Sequence, residues 1–483
     1  MRDCTNLEKC GMIGGIERKD WPVAGKEWGG MGAMQKGNMT TGNPLKIILL
    51  FSIPILVGCL FQQLYNVVDT AVIGHILGDG ALASVGATTS IYLLVIDFCC
   101  GLTNGFSVVI SQLFGAGDER RLSRAVSLNF VLTFILSVIV TVAGAFGIDP
   151  LLRLLNTPED VFSGASEYLH VILGGFVVTL FYNMLAALLR AVGNSRVPLY
   201  ALILAAVVNV VLDLWFVGGL DLGIAGAAYA TVIAQACSVV FCLVYIAKGA
   251  QLLRFRFSNV VFDRQLIGRL LGTGFSMSLM LGVVSIGSVT LQGAVNSFGA
   301  QVIAAHTTAR KIDAMFMQPQ FAVGTAAATF VGQNYGAGKP DRVRRGLLYA
   351  LGICLAWDVI ALGIGYAFGG PVTALLTGTA DPVILNTAVQ YIRINTPFFF
   401  PLAVFVVLRN CLQSMNTKVV PILGSVMELT TKIIGVTLVA PAFGYLGICF
   451  LEPVIWVIGA VMVGLDYLRV SRKYRAKGVL SIT

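Results

Sequence analysis

The sequence predicts an all-α integral membrane protein with twelve transmembrane helices in two six-helix lobes related by pseudo-two-fold symmetry. Three observations support this fold class: the composition, the alternation of basic loops, and an internal repeat. Of the 483 residues, 57% are hydrophobic and only 12% are charged, whereas soluble proteins carry about 25% charged residues. A chain this apolar cannot cover a globule with polar side chains, so its outer surface must face lipid.

Twelve stretches are apolar for about the 20 residues that a spanning helix needs. They lie roughly at 46–74, 83–110, 125–148, 166–190, 197–218, 223–247, 266–295, 302–330, 346–369, 386–411, 419–440 and 445–468. We therefore expect an N-lobe at 41–255 and a C-lobe at 256–483, the latter ending in a short cytoplasmic segment. Residues 1–40 are polar and lack the apolar core of a signal peptide. We expect them to be a disordered tail or a mis-assigned start.

Positive charge alternates between the predicted loops. Basic residues, among them Arg120, Arg342 and Arg409, follow the even-numbered spans, whereas the intervening loops contain only Arg153. Cytoplasmic loops of membrane proteins are enriched in Lys and Arg, so both termini are expected to be cytoplasmic. The formal net charge of +9 is thus explained by topology, and no nucleic-acid partner is expected.

The two halves repeat each other. SQLFGAGDERRLSRAV (111–126) aligns with GQNYGAGKPDRVRRGL (332–347), and LRAVGNSRVP (189–198) aligns with LQSMNTKVVP (412–421). Because each half has six spans, the repeat is parallel, about an axis along the membrane normal. The repeated glycines are most simply helix C-caps followed by a turn. They do not form a phosphate loop, since no Gly-Lys-Ser/Thr follows, and an ion gradient is the expected energy source.

Charged residues inside predicted spans are candidates for function because a charge in the bilayer is costly. In the first half, Asp69 lies about fifteen residues beyond Pro54, which can bend its helix. Asn209 and Asp213 are spaced i, i+4 and share one helical face, and Thr231 on the next span can add a hydroxyl. This set suits either a Na⁺ site or a shared proton. The alternative is that each acid only caps a helix or bonds a neighbouring backbone.

The charges of the second half have simpler interpretations. Glu428 and Lys432 are spaced i, i+4 and can neutralise each other within one helix. Arg310, Lys311 and Asp313 can lie near a helix end and extend towards water. We expect no counterpart of the first-half set here, and the pattern gives no role to Asp97, Asp358, Arg393 or Glu452.

The segment IPILVGCLFQQLYNVVDTAVIGHILG (53–78) strongly resembles the first span of the multidrug and toxic compound extrusion (MATE) family, and LLRAVGNSRVP (188–198), GIAGAAYAT (223–231) and the repeated Q-x-x-G-A-G loops are similar to family segments. The resemblance implies an antiporter that exports amphiphilic, often cationic compounds in exchange for H⁺ or Na⁺. It implies a cation-coupling site at Asp69, Asn209, Asp213 and Thr231, a helix bend at Pro54, and a substrate cavity with Gln62, Tyr65 and Asn183. Spans seven and ten lack the acidic pair of some relatives, which places the coupling site in the N-lobe.

The remaining expectations concern partners and alternatives. We expect a monomer in the plasma membrane, without enzymatic activity, resident metal or cofactor other than the coupling ion. One alternative is a lipid-linked oligosaccharide flippase of the same superfamily, which would favour a strongly basic central cavity. The other is a membrane-embedded prenyltransferase-type enzyme, which would need clustered Asp-rich motifs that the sequence lacks.

Overall fold

The computed structural model describes residues 37–155, 157–377, 381–417 and 419–476, which are almost entirely helical, with no strand among them. The expectation for residues 1–40 therefore lies outside the described residues except at 37–40. The helices are α1 (Pro44–Leu77), α2 (Asp79–Ala116), α3 (Glu119–Leu154), α4 (Glu159–Gly174), α5 (Phe176–Ala191), α6 (Arg196–Phe216), α7 (Gly223–Gly249), α8 (Arg264–Val295), α9 (Ala300–Gly336), α10 (Pro340–Thr377), α11 (Pro382–Asn395), α12 (Phe399–Ser414), α13 (Val419–Ile434) and α14 (Ala440–Ala476).

Each predicted span corresponds to one helix or to two consecutive helices. The fourth span consists of α4 and α5, which are bent by 51° at Gly175. The tenth span consists of α11 and α12, joined by a 3₁₀ turn at Thr396–Phe398. The two breaks fall in the same span of each half, as the sequence repeat requires.

Length and hydropathy alone identify nine membrane-crossing helices among the described residues, or ten if α4 and α5 form one span. The difference from twelve has two causes. The segment Val419–Arg472 holds two spans, because a π turn at Gly435–Val439 follows α13 and the non-helical Gly444 breaks the helix near the start of α14. Helix α9 is long enough, but polar side chains such as Arg310 and Gln320 lower its hydropathy.

The two halves pack in equivalent ways. Helix α1 contacts α6 within its half and α9 in the other half, just as α8 contacts α13 within its half and α2 in the other. Helices α2 and α9 also contact each other. The predicted fold of two six-helix halves is confirmed, and α1, α2, α8 and α9 form the interface between them.

Small residues bring α2 and α8 together. A Cβ atom on Gly101 or Gly105 of α2 would lie 2.5 Å from the Cα of Ser278 or Gly274 of α8. Such small residues one turn apart let membrane helices approach backbone to backbone. Beyond this contact, Ser285 Oγ of α8 donates a hydrogen bond to Asp97 Oδ2 over 2.5 Å. Asp97, which had no role from the sequence, therefore links the two halves.

Candidate functional site

The structure brings together the four residues of the predicted cation site. Asp69 on α1 and Asp213 on α6 place their carboxyl groups in hydrogen-bonding contact. Asn209 lies one turn before Asp213, and its Nδ2 donates to Thr231 Oγ1 of α7 over 3.4 Å. The site exists because α6 packs against both α1 and α7.

This group lacks hydrogen-bond donors for its oxygens. Asn209 is 0% exposed and Asp213 is 1% exposed. With both acids ionised, Asp69 Oδ1, Asn209 Oδ1 and both oxygens of Asp213 are buried without a partner among the described residues. Two touching carboxylates away from water cannot both stay ionised without a cation between them. A shared proton or an oxygen-coordinated Na⁺ would satisfy this arrangement, and the donor set fits either ion.

Tyrosine side chains border the acid pair. The Tyr65 hydroxyl lies 3.4 Å from Thr231 Oγ1, so a residue predicted for the substrate cavity also touches the predicted cation site. Tyr168 of α4 lies near Asp69 and Asp213. Tyr168 was not among the predicted site residues, because its sequence signal is only a hydroxyl inside the fourth span.

The structure does not test the roles predicted for three other residues, Pro54, Gln62 and Asn183. Helix α1 continues as one helix through Pro54. Gln62 is exposed one turn before Tyr65. Asn183 Nδ2 donates to the Thr179 carbonyl oxygen of its own helix over 2.9 Å. The helix bend at Pro54 and the substrate contacts of Gln62 and Asn183 stay predictions.

The second half contains a buried charged cluster that the sequence analysis did not predict as a unit. Lys432 Nζ lies 2.9 Å from Glu428 Oε1, as expected, but also 3.3 Å from Glu452 Oε1 of α14. Arg310 Nη1 of α9 lies 3.2 Å from the same Glu452 oxygen. The expectation that Asp313 extends towards water from a helix end is wrong, because Asp313 is 1% exposed. We call these five residues the C-half cluster.

One basic residue assigned to a loop belongs to the interior. Arg409 lies within α12, is 8% exposed, and places its guanidinium carbon 4.6 Å from the centre of the Phe405 ring. The interior position gives Arg409 an aromatic partner. The remaining basic loops still alternate with the other loops along the chain. We call the end of the helix bundle at which they lie the basic end.

The repeated glutamines connect the two halves at the basic end. Gln112 Nε2 of α2 donates to the Ser414 carbonyl oxygen over 2.8 Å, and Gln333 Nε2 of α9 donates to the Ala191 carbonyl oxygen over 2.9 Å. Each bond crosses between halves. The two acceptors also occupy equivalent positions of the sequence repeat, so the two bonds are related by the pseudo-two-fold axis.

Both glutamine side chains also accept a hydrogen bond. Gln112 Oε1 accepts from Arg269 Nη2 of α8 over 3.0 Å. Gln333 Oε1 accepts from the backbone N–H of Met39 over 2.9 Å. Gln333 is 0% exposed and Gln112 is 6% exposed. We call the two glutamines with these four partners the latch.

The glycines of the repeated element have two roles, of which the sequence analysis expected one. Gly117 and Gly338 adopt the left-handed conformation that ends a helix, with φ of 71° and 65°. Gly115 and Gly336 instead permit α2 to cross α9. A Cβ atom on Gly115 would overlap the Gln333 carbonyl oxygen, and one on Gly336 would overlap that of Gln112.

Comparison with known proteins agrees with this architecture. The family model described as MatE matches residues 54–215 and 276–438, once in each half. The probable multidrug resistance protein YpnP of Bacillus subtilis is 33% identical over 310 residues, which cover 64% of this chain and 69% of that protein. The probable multidrug resistance protein YoeA of the same organism is 30% identical over 336 residues, covering 68% and 70%.

A solved structure described as the outward-facing conformation of a multidrug resistance MATE family transporter of the MOP superfamily superimposes with a TM-score of 0.83. The match covers 92% of this chain and 98% of that one, at 24% sequence identity. At this identity the likeness shows the fold alone. It agrees with the twelve spans and two lobes described above.

Proposed function

Because this chain belongs to the MatE family of membrane transporters, we propose that it is a secondary antiporter that exports small amphiphilic, often cationic compounds in exchange for H⁺ or Na⁺. The contact between the Asp69 and Asp213 carboxyl groups supports this proposal best. Two acids held together with unpartnered oxygens can take up and release one monovalent cation per cycle.

The two halves, 41–255 and 256–483, are the moving bodies of the proposed mechanism. With the latch formed, the bundle is closed at its basic end. Loading of the acid pair by a cation, with a rearrangement of α1 at Pro54, would weaken drug binding in the N-lobe cavity. The ion can drive this change only if its affinity differs between the two states. Drug and ion thereby exchange across the membrane.

The ion pairs of the C-half cluster weigh against an anionic cargo at that cluster. Arg310 and Lys432 are both bonded to glutamates, so neither is left free to hold a phosphate or carboxylate. A flippase for anionic lipid-linked sugars would instead need unpaired cations facing its cavity. We therefore place drug export ahead of the flippase alternative.

Orientation and assembly complete the proposal. Positive charge at the basic end supports a cytoplasmic position for that end, and with it for both termini. We propose that the protein works as a monomer in the plasma membrane. Each half supplies its own bundle, and the two halves meet through the latch of a single chain.

Transport in proteoliposomes with independently imposed pH and Na⁺ gradients tests the proposed function. We expect ethidium movement to follow one of the two gradients in the wild-type protein. Asp69→Asn combined with Asp213→Asn should abolish this coupling, because the pair can then no longer be charged. Asp118→Asn, at a surface helix cap, is the matched control and should transport normally. Coupled transport by the double variant would refute the assigned site.

A further inference from the structure

We propose that Asp313 is a proton-binding site in the C-half cluster, separate from the cation site of the first half. This inference rests on the proposed antiport and extends it. Asp313 would hold a proton while the latch is closed and release it when the halves rearrange. The proposal follows from the charge balance of the cluster, from the burial of Asp313 and from its position on α9.

Charge balance is the first step. The C-half cluster contains two cations, Arg310 and Lys432. Direct ion pairs join Lys432 to both Glu428 and Glu452, and join Arg310 to Glu452. The two cations are therefore matched by the two glutamates. Asp313 is a third acid and belongs to none of these ion pairs, so its ionisation would place an unpaired negative charge in a buried site, which is strongly unfavourable away from water.

Burial is the second step. Asp313 is 1% exposed, and both of its carboxyl oxygens lack a hydrogen-bond partner among the described residues. An ionised carboxylate normally accepts several hydrogen bonds, whereas these oxygens accept none. Apolar side chains of α9 and α11, including Ala309, Ile312 and Ile392, pack around this region. The surroundings therefore suit a neutral carboxylic acid.

The ionisable neighbours decide which ion would bind. Those that face Asp313 are Arg310 of its own helix, Tyr391 of α11, and Tyr445, Cys449 and Glu452 of α14. Asp358 of α10 accepts a hydrogen bond from Gln320, which lies two turns beyond Asp313 on α9. The nearby guanidinium of Arg310 repels Na⁺, and Na⁺ would also need several oxygen ligands. A proton needs only the carboxyl group itself.

The route for the proton and the means of its release involve Arg310. The Arg310 side chain is 35% exposed, whereas that of Glu452 is 7% exposed, so the cluster is open to the protein surface at Arg310. Arg310 lies one helical turn before Asp313 and already interacts with both acids. A shift of α9 relative to α14 would let Arg310 leave Glu452 and pair with Asp313. The proton of Asp313 would then pass to water, and Lys432 would remain paired with both glutamates.

Helix α9 can link this event to the closure of the basic end. It carries Asp313, then Pro319, then Gln333 of the latch. A proline inside a membrane helix removes one backbone hydrogen bond and creates a point at which the helix can bend. Opening of the latch would therefore move the part of α9 between Pro319 and Gln333 and disturb the Arg310–Glu452 pair on the other side of the proline.

Infrared difference spectroscopy of the protein in nanodiscs tests the proposal without requiring transport. We expect a carbonyl-stretch band of a protonated carboxylic acid that shifts in D₂O and is missing from Asp313→Asn. The band should persist in Asp69→Asn combined with Asp213→Asn, which removes the first-half acids. Asp118→Asn should leave the spectrum unchanged. Absence of any band difference between wild type and Asp313→Asn would overturn the proposal.

A second measurement separates this inference from the proposed function. Asn is neutral and has the shape of a protonated Asp, so Asp313→Asn should fold and bind drug. The number of protons released per molecule of ethidium bound, read with a soluble pH indicator, should fall relative to wild type. If the wild type releases protons and Asp313→Asn releases the same number per molecule of ethidium bound, the Asp313 site alone is refuted. No transport by the wild type under any gradient would refute the antiport, and the infrared result would still decide the protonation of Asp313.

Discussion

Removal of one side chain from the latch should open the basic end. In Gln333→Ala the Ala191 carbonyl oxygen and the Met39 N–H each lose their hydrogen-bond partner. A buried polar group without a partner costs about 1–3 kcal/mol. This cost applies to the closed state, because water reaches both groups once the halves separate. Allowing for partial hydration of the space left by Gln333, we expect the closed state to lose about 2–3 kcal/mol.

A loss of this size changes the closed-to-open ratio by roughly 30- to 140-fold, since each 1.4 kcal/mol is a factor of ten. Hydrogen–deuterium exchange detects such a change even when the open state is rare, because amide exchange scales with the population of the open form. We expect exchange in the segments 37–48 and 186–197, which flank the latch, to accelerate by this factor in Gln333→Ala.

Gln320→Ala is the matched control. Gln320 lies on the same helix, is also 0% exposed, and bonds Asp358 and the Phe399 carbonyl oxygen within its own half. We expect Gln320→Ala to lower overall stability without a selective change at the latch. Equal acceleration in both variants, or no acceleration in Gln333→Ala, would refute the assignment of Gln333 to a contact that holds the halves together.

Two further predictions concern packing and charge. Gly105→Ala should lower the melting temperature by an amount equivalent to about 1–3 kcal/mol, because the added Cβ meets Gly274. Gly86→Ala on the same helix is the control, because its Cβ faces open space and should leave the melting temperature unchanged. Equal effects of the two substitutions would contradict the close approach of α2 and α8. Lys432→Met should cost about 3–5 kcal/mol by leaving buried glutamates unpaired, and adding Glu428→Gln should restore much of the melting temperature. No recovery in the double variant would argue against the observed pairing.

The features that the sequence revealed are those with a local signature. Spans appear as long apolar stretches, and the acid set appears because Asn209 and Asp213 share a helical face while Asp69 stands alone in an apolar helix. The pairing of Glu428 with Lys432 has the same local character, with a spacing of i, i+4. Such patterns survive in one dimension because helix geometry fixes which neighbours can touch.

The features that the sequence did not reveal depend on helices that are distant along the chain. Glu452 joins Lys432 and Arg310 only because α9, α13 and α14 meet in space. The glutamines and glycines of the repeat were visible, but local rules interpret glycine near a helix end as a cap. Nothing local shows that Gly115 faces the backbone of Gln333. The burial of Arg409 was missed because a residue near the end of a span can face either the loop or the interior.

The positions of the latch and of the two acidic sites explain how ion binding and closure can influence each other. Helix α1 begins just after Met39, which Gln333 holds, and it carries Pro54 and then Asp69. Helix α9 carries Gln333, then Pro319 and then Asp313 in the direction away from the basic end. Both helices therefore join a cross-half contact to a buried acid through a proline. Coupling between distant sites requires an element with two arrangements that both sites bias, and α1 and α9 are the helices in which we expect it, one in each half. The two glutamine-to-carbonyl bonds of the latch are related by symmetry, whereas the acids differ, so opening at one interface can affect two chemically distinct acidic sites.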